Sequence, residues 1–313
     1  MSLLISLDIS SRQLTTLEGV DSYPTVRTLN VASNCLRDLQ LLARLPELHT
    51  LSASSNELTT ALDFAVPQMG ADEEAAEEKS GWYGSRLEVA DLSFNRIAAL
   101  RDLSAHKFLT RLNLASNALT SVRGLRALQY LRYLDLSGNS ISTLVEEGGS
   151  DGADAIGAVD GLGLVELRLE SNALADLGAL GSLPRLQTLC LAQNQLSSMR
   201  GMDRCPSLVA LDIRSNCVVE VVELARLQSG LRVLHTLGNP MNDEESYRER
   251  AVLLVPSLRS LDETDVLPVE KMNTISKHGG DVQHRIEVLA KLLPDEPFID
   301  YCPPLEAPKL GDE

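Results

Sequence analysis

The chain has 313 residues, of which 58 are leucine and only 4 % aromatic, so nearly one position in five carries the same side chain. An enzyme core usually mixes branched and aromatic groups to fill irregular space, whereas a leucine core points to one small packing unit used many times. The 28 basic against 44 acidic residues give a net charge of −16, which argues against nucleic acid or an anionic membrane as partner; five cysteines without metal-ligand spacing point to a reducing compartment.

Residues 1–7 are apolar, but no basic region precedes them and Asp8 follows at once, so no secretory signal is expected. The longest apolar runs, such as residues 251–255, fall far short of the roughly 20 residues a bilayer span needs. A soluble cytoplasmic protein without a membrane partner is the expectation. From Leu4 onward one phrase recurs, Leu-x-x-Leu-x-Leu-x-x-Asn-x-Leu. Its asparagines are Asn34, Asn56, Asn95, Asn117, Asn139, Asn172, Asn194, Asn216 and Asn239, spaced by 22, 39, 22, 22, 33, 22, 22 and 23 residues. The unit is therefore 22 residues long, with insertions of 17 and 11 that fall at about 67–83 and 146–157. A first copy, Leu4, Leu7, Ile9 and Leu14, carries Arg12 where the asparagine belongs, which makes ten repeats.

Within a unit, the alternation Leu112-x-Leu114 predicts a short strand with its leucines inward and Arg111, Asn113 and Ala115 outward. The asparagine sits where the chain leaves the strand, and its amide can both donate to and accept from backbone groups of neighbouring coils. The second half steps by three, as in Leu36, Leu39, Leu42 and Leu45, which fits a 3₁₀ turn better than an α-helix. A lone unit cannot offset the entropy of ordering itself, so both ends need protection. With three residues ahead of Leu4, the first coil either frays or is covered by a partner.

At the other end, Asn239-Pro240 leads into Asp243-Glu244-Glu245, Tyr247-Arg248 and apolar residues 251–255, a predicted helix with an acidic first turn. Pro256-Ser257-Leu258-Arg259-Ser260-Leu261-Asp262 reads as a final half-repeat, and Val269-Glu270-Lys271-Met272 begins another helix. Beyond Gly280, Val282, Ile286, Leu289 and Leu293 form an amphipathic stripe. Five prolines then intersperse Phe298, Ile299 and Tyr301, a composition that docks as an extended peptide on another molecule or folds back on the solenoid flank.

These features resemble the 22-residue class of leucine-rich-repeat proteins, and the Asn-Pro, Tyr-Arg, Pro-x-Leu and Leu-Asp steps resemble that class's C-terminal cap. The resemblance covers about residues 4–272. It implies an α/β solenoid, a right-handed horseshoe of ten repeats. Short parallel strands would line its concave face, 3₁₀ or short helical turns its convex face, and helices its C-terminal cap. The divisions are 1–241 for the solenoid, 242–278 for the cap and 279–313 for the amphipathic helix and Pro-rich tail. The class includes the leucine-rich regulatory subunit of protein phosphatase 1, the leucine-rich light chain of axonemal dynein and leucine-rich radial-spoke subunits. It therefore implies a non-enzymatic protein-binding adaptor. A ciliary or flagellar axonemal complex such as a radial spoke is favoured, the phosphatase-1 catalytic subunit comes second as partner, and a nuclear ribonucleoprotein role third.

Charge concentrates outside the repeats: residues 67–83, 146–160 and 294–313 carry −4, −5 and −5, or −14 of the total −16. Both insertions read as solvated loops, with Trp82-Tyr83 anchoring the first, and docking of basic partners as the alternative. On the concave face signs are interleaved, as suits a protein surface. The candidate protein-binding residues there are Val89, Asp91, Phe94, Arg111, Arg132, Tyr133, Asp135 and Arg168, with Phe94 and Tyr133 as aromatic anchors beside arginines. In the tail they are Ile286, Leu289, Phe298 and Tyr301. Arg168, Cys190, Asp212 and His235 share one strand position and contain a cysteine, a carboxylate and an imidazole. Cys190 and His235 would nevertheless lie two strands, about 10 Å, apart on an open wall, so no catalytic role is assigned. No cofactor or metal site is expected.

Overall fold

The computed structural model describes residues 4–62, 86–100, 103–144, 159–227 and 230–278, with side chains as far as Ile275. Most of both acidic insertions, including Trp82 and Tyr83, and the tail from residue 279 lie outside the described residues. Each of the ten repeats contributes one three-residue strand: β1 Ser6–Asp8, β2 Thr28–Asn30, β3 Thr50–Ser52, β4 Val89–Asp91, β5 Arg111–Asn113, β6 Tyr133–Asp135, β7 Glu166–Arg168, β8 Thr188–Cys190, β9 Ala210–Asp212 and β10 Val233–His235. They pair in chain order, all parallel, with no strand skipped. The two insertions leave the register untouched: Val89 pairs with Thr50, and Glu166 with Tyr133.

The central residue of each strand points inward. Leu29, Leu51, Leu112, Leu134, Leu167, Leu189, Leu211 and Leu234 form one buried ladder, with Ala90 filling the rung of β4. The period-three segments close as 3₁₀ turns, among them Val20–Ser22, Gln40–Arg44, Leu125–Ala127, Met202–Arg204 and Val221–Arg226. Three of them, those starting at Val20, Leu125 and Met202, are entered through a left-handed glycine. Gly201 (φ 99°) has no room for a side chain, since a Cβ there would lie 2.6 Å from the Leu177 carbonyl oxygen.

The asparagines make the second ladder. Asn117 accepts from the Ile97 N–H at 3.0 Å and donates to the Leu92 and Leu114 carbonyls, both at 3.0 Å. Asn194 does the same with Leu174 N–H, Leu169 O and Leu191 O at 3.0, 2.9 and 3.0 Å. In each rung the acceptor serves the repeat before, while the amide bridges the repeat before and its own coil. Arg12 cannot play this part, yet its own N–H and that of Leu14 both donate to Asn34.

At the N-terminal edge Ile5 is 55 % exposed, while Leu7, Ile9 and Leu14 pack partly against the core. The C-terminal end is closed. Helix α1 (Tyr247–Leu254) and helix α2 (Pro268–His278) flank β11 (Ser260–Leu261), which adds to β10 in parallel. The short β12 (Thr264–Asp265) then turns back antiparallel through Asp262 and Glu263, both with positive φ. The predicted acidic first turn does not belong to α1. Asn239 and Asn242 cap each other across a separate 3₁₀ turn at Pro240–Asp243, and the α-helix starts only at Tyr247, with Glu249 in its first turn. Thr236, Tyr247 and Asp262 form a hydrogen-bonded knot: Asp262 accepts from Thr236 N–H at 2.6 Å and from the Tyr247 hydroxyl at 3.0 Å. Arg248 grips Glu270 with two nitrogens, at 2.6 and 3.0 Å, and so ties α1 to α2.

Candidate functional site

The parallel register sorts the sheet's outer face into columns, and each column has its own chemistry. The third strand position, holding Asp8, Asn30, Asp91, Asn113, Asp135 and Asp212, is mostly structural. Each of these side chains accepts from the backbone N–H two residues on, as Asp91 does from Ser93 at 3.0 Å and Asp135 from Ser137 at 2.9 Å. Asp91 and Asp135 therefore hold the strand exit as well as facing the wall. Asp135 is buried and also accepts from the Tyr133 hydroxyl at 3.3 Å.

The first strand position brings Val89, Arg111 and Tyr133 into one row on neighbouring strands. The Tyr133 ring lies between two guanidinium groups: the Arg111 carbon is 4.7 Å and the Arg168 carbon 5.8 Å from the ring centre. Arg168 also donates to Glu166 at 2.7 Å. Burial, helped by the Asp135 charge, pushes the Tyr133 hydroxyl above its usual value, so it stays a neutral donor. Arg132, one residue ahead of β6, is exposed, and no carboxylate among the described residues pairs with it.

Phe94 does not join this row. It sits past the end of β4, five residues beyond Val89, and its N–H donates to Ala115 O. Its column is left-handed in every repeat, held by Ser11, Ser33, Ser55, Ser116, Gly138, Ser171, Gln193, Ser215 and Gly238. Phe94 (φ 55°) is the one bulky apolar residue there, and it is 62 % exposed. The sequence expectation of one Phe94–Tyr133 cluster thus resolves into two separate places on the wall. The tail candidates Ile286, Leu289, Phe298 and Tyr301 lie outside the described residues.

The row Arg168, Cys190, Asp212 and His235 does occupy adjacent strands. Burial, reinforced by the Glu170 carboxylate, pushes the Cys190 thiol up to about 12, so it is protonated at neutral pH. Asp212 is held by Arg214 at 2.7 Å. Cys190 is thus not an activated nucleophile, and the Asp212 carboxylate is engaged by Arg214. Among the described residues no group of three potential ligands gathers to hold a metal ion.

Sequence reasoning missed one feature. Phe108 and Tyr130, three residues ahead of β5 and β6, stack with ring centres 5.9 Å apart and planes 21° off parallel. Both are exposed. Their separation of one repeat was the available signal, since equal positions 22 residues apart become neighbours in a solenoid.

A family model described as leucine-rich repeat matches residues 85–147. The chain is 30 % identical over 264 residues to leucine-rich repeat-containing protein 23 of Bos taurus, across 82 % of this chain and 68 % of that protein. The Homo sapiens protein of the same name matches at 30 % over 261 residues, with the same shares. A shorter stretch is similar to U2 small nuclear ribonucleoprotein A' of Emericella nidulans, 30 % identical over 118 residues, 36 % of this chain and 51 % of that one. Among solved structures, internalin C2 of Listeria monocytogenes shares the fold, with a TM-score of 0.52 and 24 % identity over 66 % of this chain and 79 % of that chain.

Proposed function

We propose, from the premise that this chain belongs to the leucine-rich-repeat family of leucine-rich repeat-containing protein 23, that it is a non-enzymatic scaffold holding one protein on its concave wall and a second through its tail. Phe94 carries the reading. In nine repeats the left-handed position is filled by residues that are small or polar, and only here by an exposed aromatic ring. Such a residue burdens the backbone and adds little to the core, so its benefit lies in contact with another molecule. Tyr133, held between Arg111 and Arg168, offers a second, pre-positioned contact on the same wall.

The setting we favour is a ciliary or flagellar axonemal complex such as a radial spoke, in the cytoskeletal compartment. Its support is the layout: 22-residue coils, a helical cap and an added C-terminal segment that resembles a tether. The likeness to U2 small nuclear ribonucleoprotein A' favours a nuclear role as the second reading, over about a third of the chain. A phosphatase-1 regulatory role ranks behind both. The test is capture from extracts of ciliated cells with the wild-type chain and Phe94→Ser, followed by identification of the retained proteins. Axonemal proteins should be retained by the wild type and reduced at least tenfold by the variant, with no fall in melting temperature. Retention of spliceosomal proteins instead, or equal capture by both chains, overturns the assignment.

A further inference from the structure

We propose that the fifth and sixth repeats carry a docking surface for an acidic, extended segment of a partner protein, built from Phe108, Tyr130, Lys107, Arg111 and Arg132. The proposal deepens the scaffold reading and rests on it, but it does not use Phe94.

Two observations carry it. The first is the ledge formed by Phe108 and Tyr130, which are 43 % and 54 % exposed and stacked on each other on the rim where the strands begin. Stacking across repeats fixes both rings while leaving their outer faces to solvent. On the far side of Tyr130 the equivalent position in the next repeat is Gly163, which carries no side chain to stack on the ring. Flat, rigid aromatic ledges suit proline and other rings, because a polyproline-type segment binds at little entropic cost.

The second is charge. Lys107 places its ammonium 5.4 Å over the Phe108 ring, and Arg111 lies over Tyr133. Neither they nor Arg132 is paired with a carboxylate among the described residues, whereas Arg27, Arg86, Arg96 and Arg168 all are. Glu88, one residue ahead of β4, bounds the patch on one side, and the half-buried Val165, one residue ahead of β7, on the other. In a chain of net charge −16 these three cations stand on the two repeats that carry the exposed aromatic pair, while the nearby Glu166 is already paired with Arg168 and Asp135 accepts from Ser137. From Phe108 to Arg111, and from Tyr130 to Tyr133, the surface runs along the strand direction, from rim to wall. A segment alternating aspartate or glutamate with proline or an aromatic would meet rings at the rim and guanidinium groups further in.

The test uses the full chain and a labelled twelve-residue peptide of repeating Asp-Pro-Phe units, read by fluorescence anisotropy. The same peptide with asparagine for aspartate and a single-stranded oligouridine of equal length serve as comparisons. The acidic peptide should bind with salt-sensitive affinity. Arg111→Gln with Arg132→Gln should weaken it at least tenfold, and Phe108→Ala with Tyr130→Ala at least fivefold, with melting curves unchanged. Equal binding of the asparagine peptide, tighter binding of oligouridine, or variants that bind like wild type would each overturn the proposal. Failure here with Phe94→Ser still reducing partner capture would remove this surface and leave the scaffold standing.

Discussion

Replacing Asn194 with alanine tests the physical basis of the solenoid. In the wild type the Asn194 side chain is buried, accepts from Leu174 N–H and donates to Leu169 O and Leu191 O. The losses are unequal. Leu169 O also accepts from Asn172 at 3.1 Å and Leu191 O from Asn216 at 2.9 Å, so each carbonyl keeps a donor. Leu174 N–H, on a fully buried residue, loses its acceptor. An orphaned buried donor costs about 1–3 kcal/mol and each shared bond about 0.5–1 kcal/mol, so the variant should lose roughly 3 kcal/mol. Urea unfolding followed by circular dichroism measures the total, and hydrogen exchange at Leu174 measures the local part. Asn194→Asp sharpens the test. Aspartate keeps an oxygen for Leu174 N–H but turns its second oxygen toward two carbonyls, which raises its folded pKa above the unfolded value. A raised folded pKa makes the protonated form the tolerated one, so its penalty relative to wild type should shrink on acidification and grow toward neutral pH. A loss under about 1 kcal/mol for the alanine variant, or a pH-independent penalty for the aspartate, would refute the reasoning.

Tyr247→Phe removes the hydroxyl that bonds Asp262 at 3.0 Å and should destabilise the cap by about 1–2 kcal/mol in urea titrations. Gly201→Ala forces a Cβ to within 2.6 Å of a backbone carbonyl at φ 99° and should cost more than about 2 kcal/mol by the same measure. Iodoacetamide at pH 8 should modify the exposed Cys217 well before Cys190, whose thiol is pushed up to about 12; mass spectrometry of the digested protein gives the order. Deleting residues 281–313 distinguishes the two expectations for the tail: a lower melting temperature marks docking on this chain, and lost partner capture marks a tether.

The fold was readable because its signal repeats. Leucine at two-residue spacing, asparagine after it and apolar residues at steps of three each recur ten times or nearly so, and one misreading cannot shift the register. The cap was readable in outline but not in detail. Asp243, Glu244 and Glu245 look like a helix start, whereas the mutual capping of Asn239 and Asn242 diverts the chain into a 3₁₀ turn first. Outward positions are harder, because their neighbours come from other repeats. Aligning the columns would have placed Phe94 among serines and glycines, and Phe108 beside Tyr130. Periodicity alone says nothing of the sign of φ at Phe94 or of the arginines on both sides of Tyr133.

The asparagine ladder has a direction, and that direction governs how the molecule comes apart and how it is made. Each rung serves the coil before it, as when Val218 N–H waits on Asn239 and Leu196 N–H on Asn216. Peeling away the earliest coil strands only a side chain that water can reach, whereas removing the latest one strips a buried amide of its acceptor. Opening should therefore begin at the β1 end. During synthesis the newest coil is always the unfinished one, until Asn239 and the knot of Thr236, Tyr247 and Asp262 lock the last rung in place.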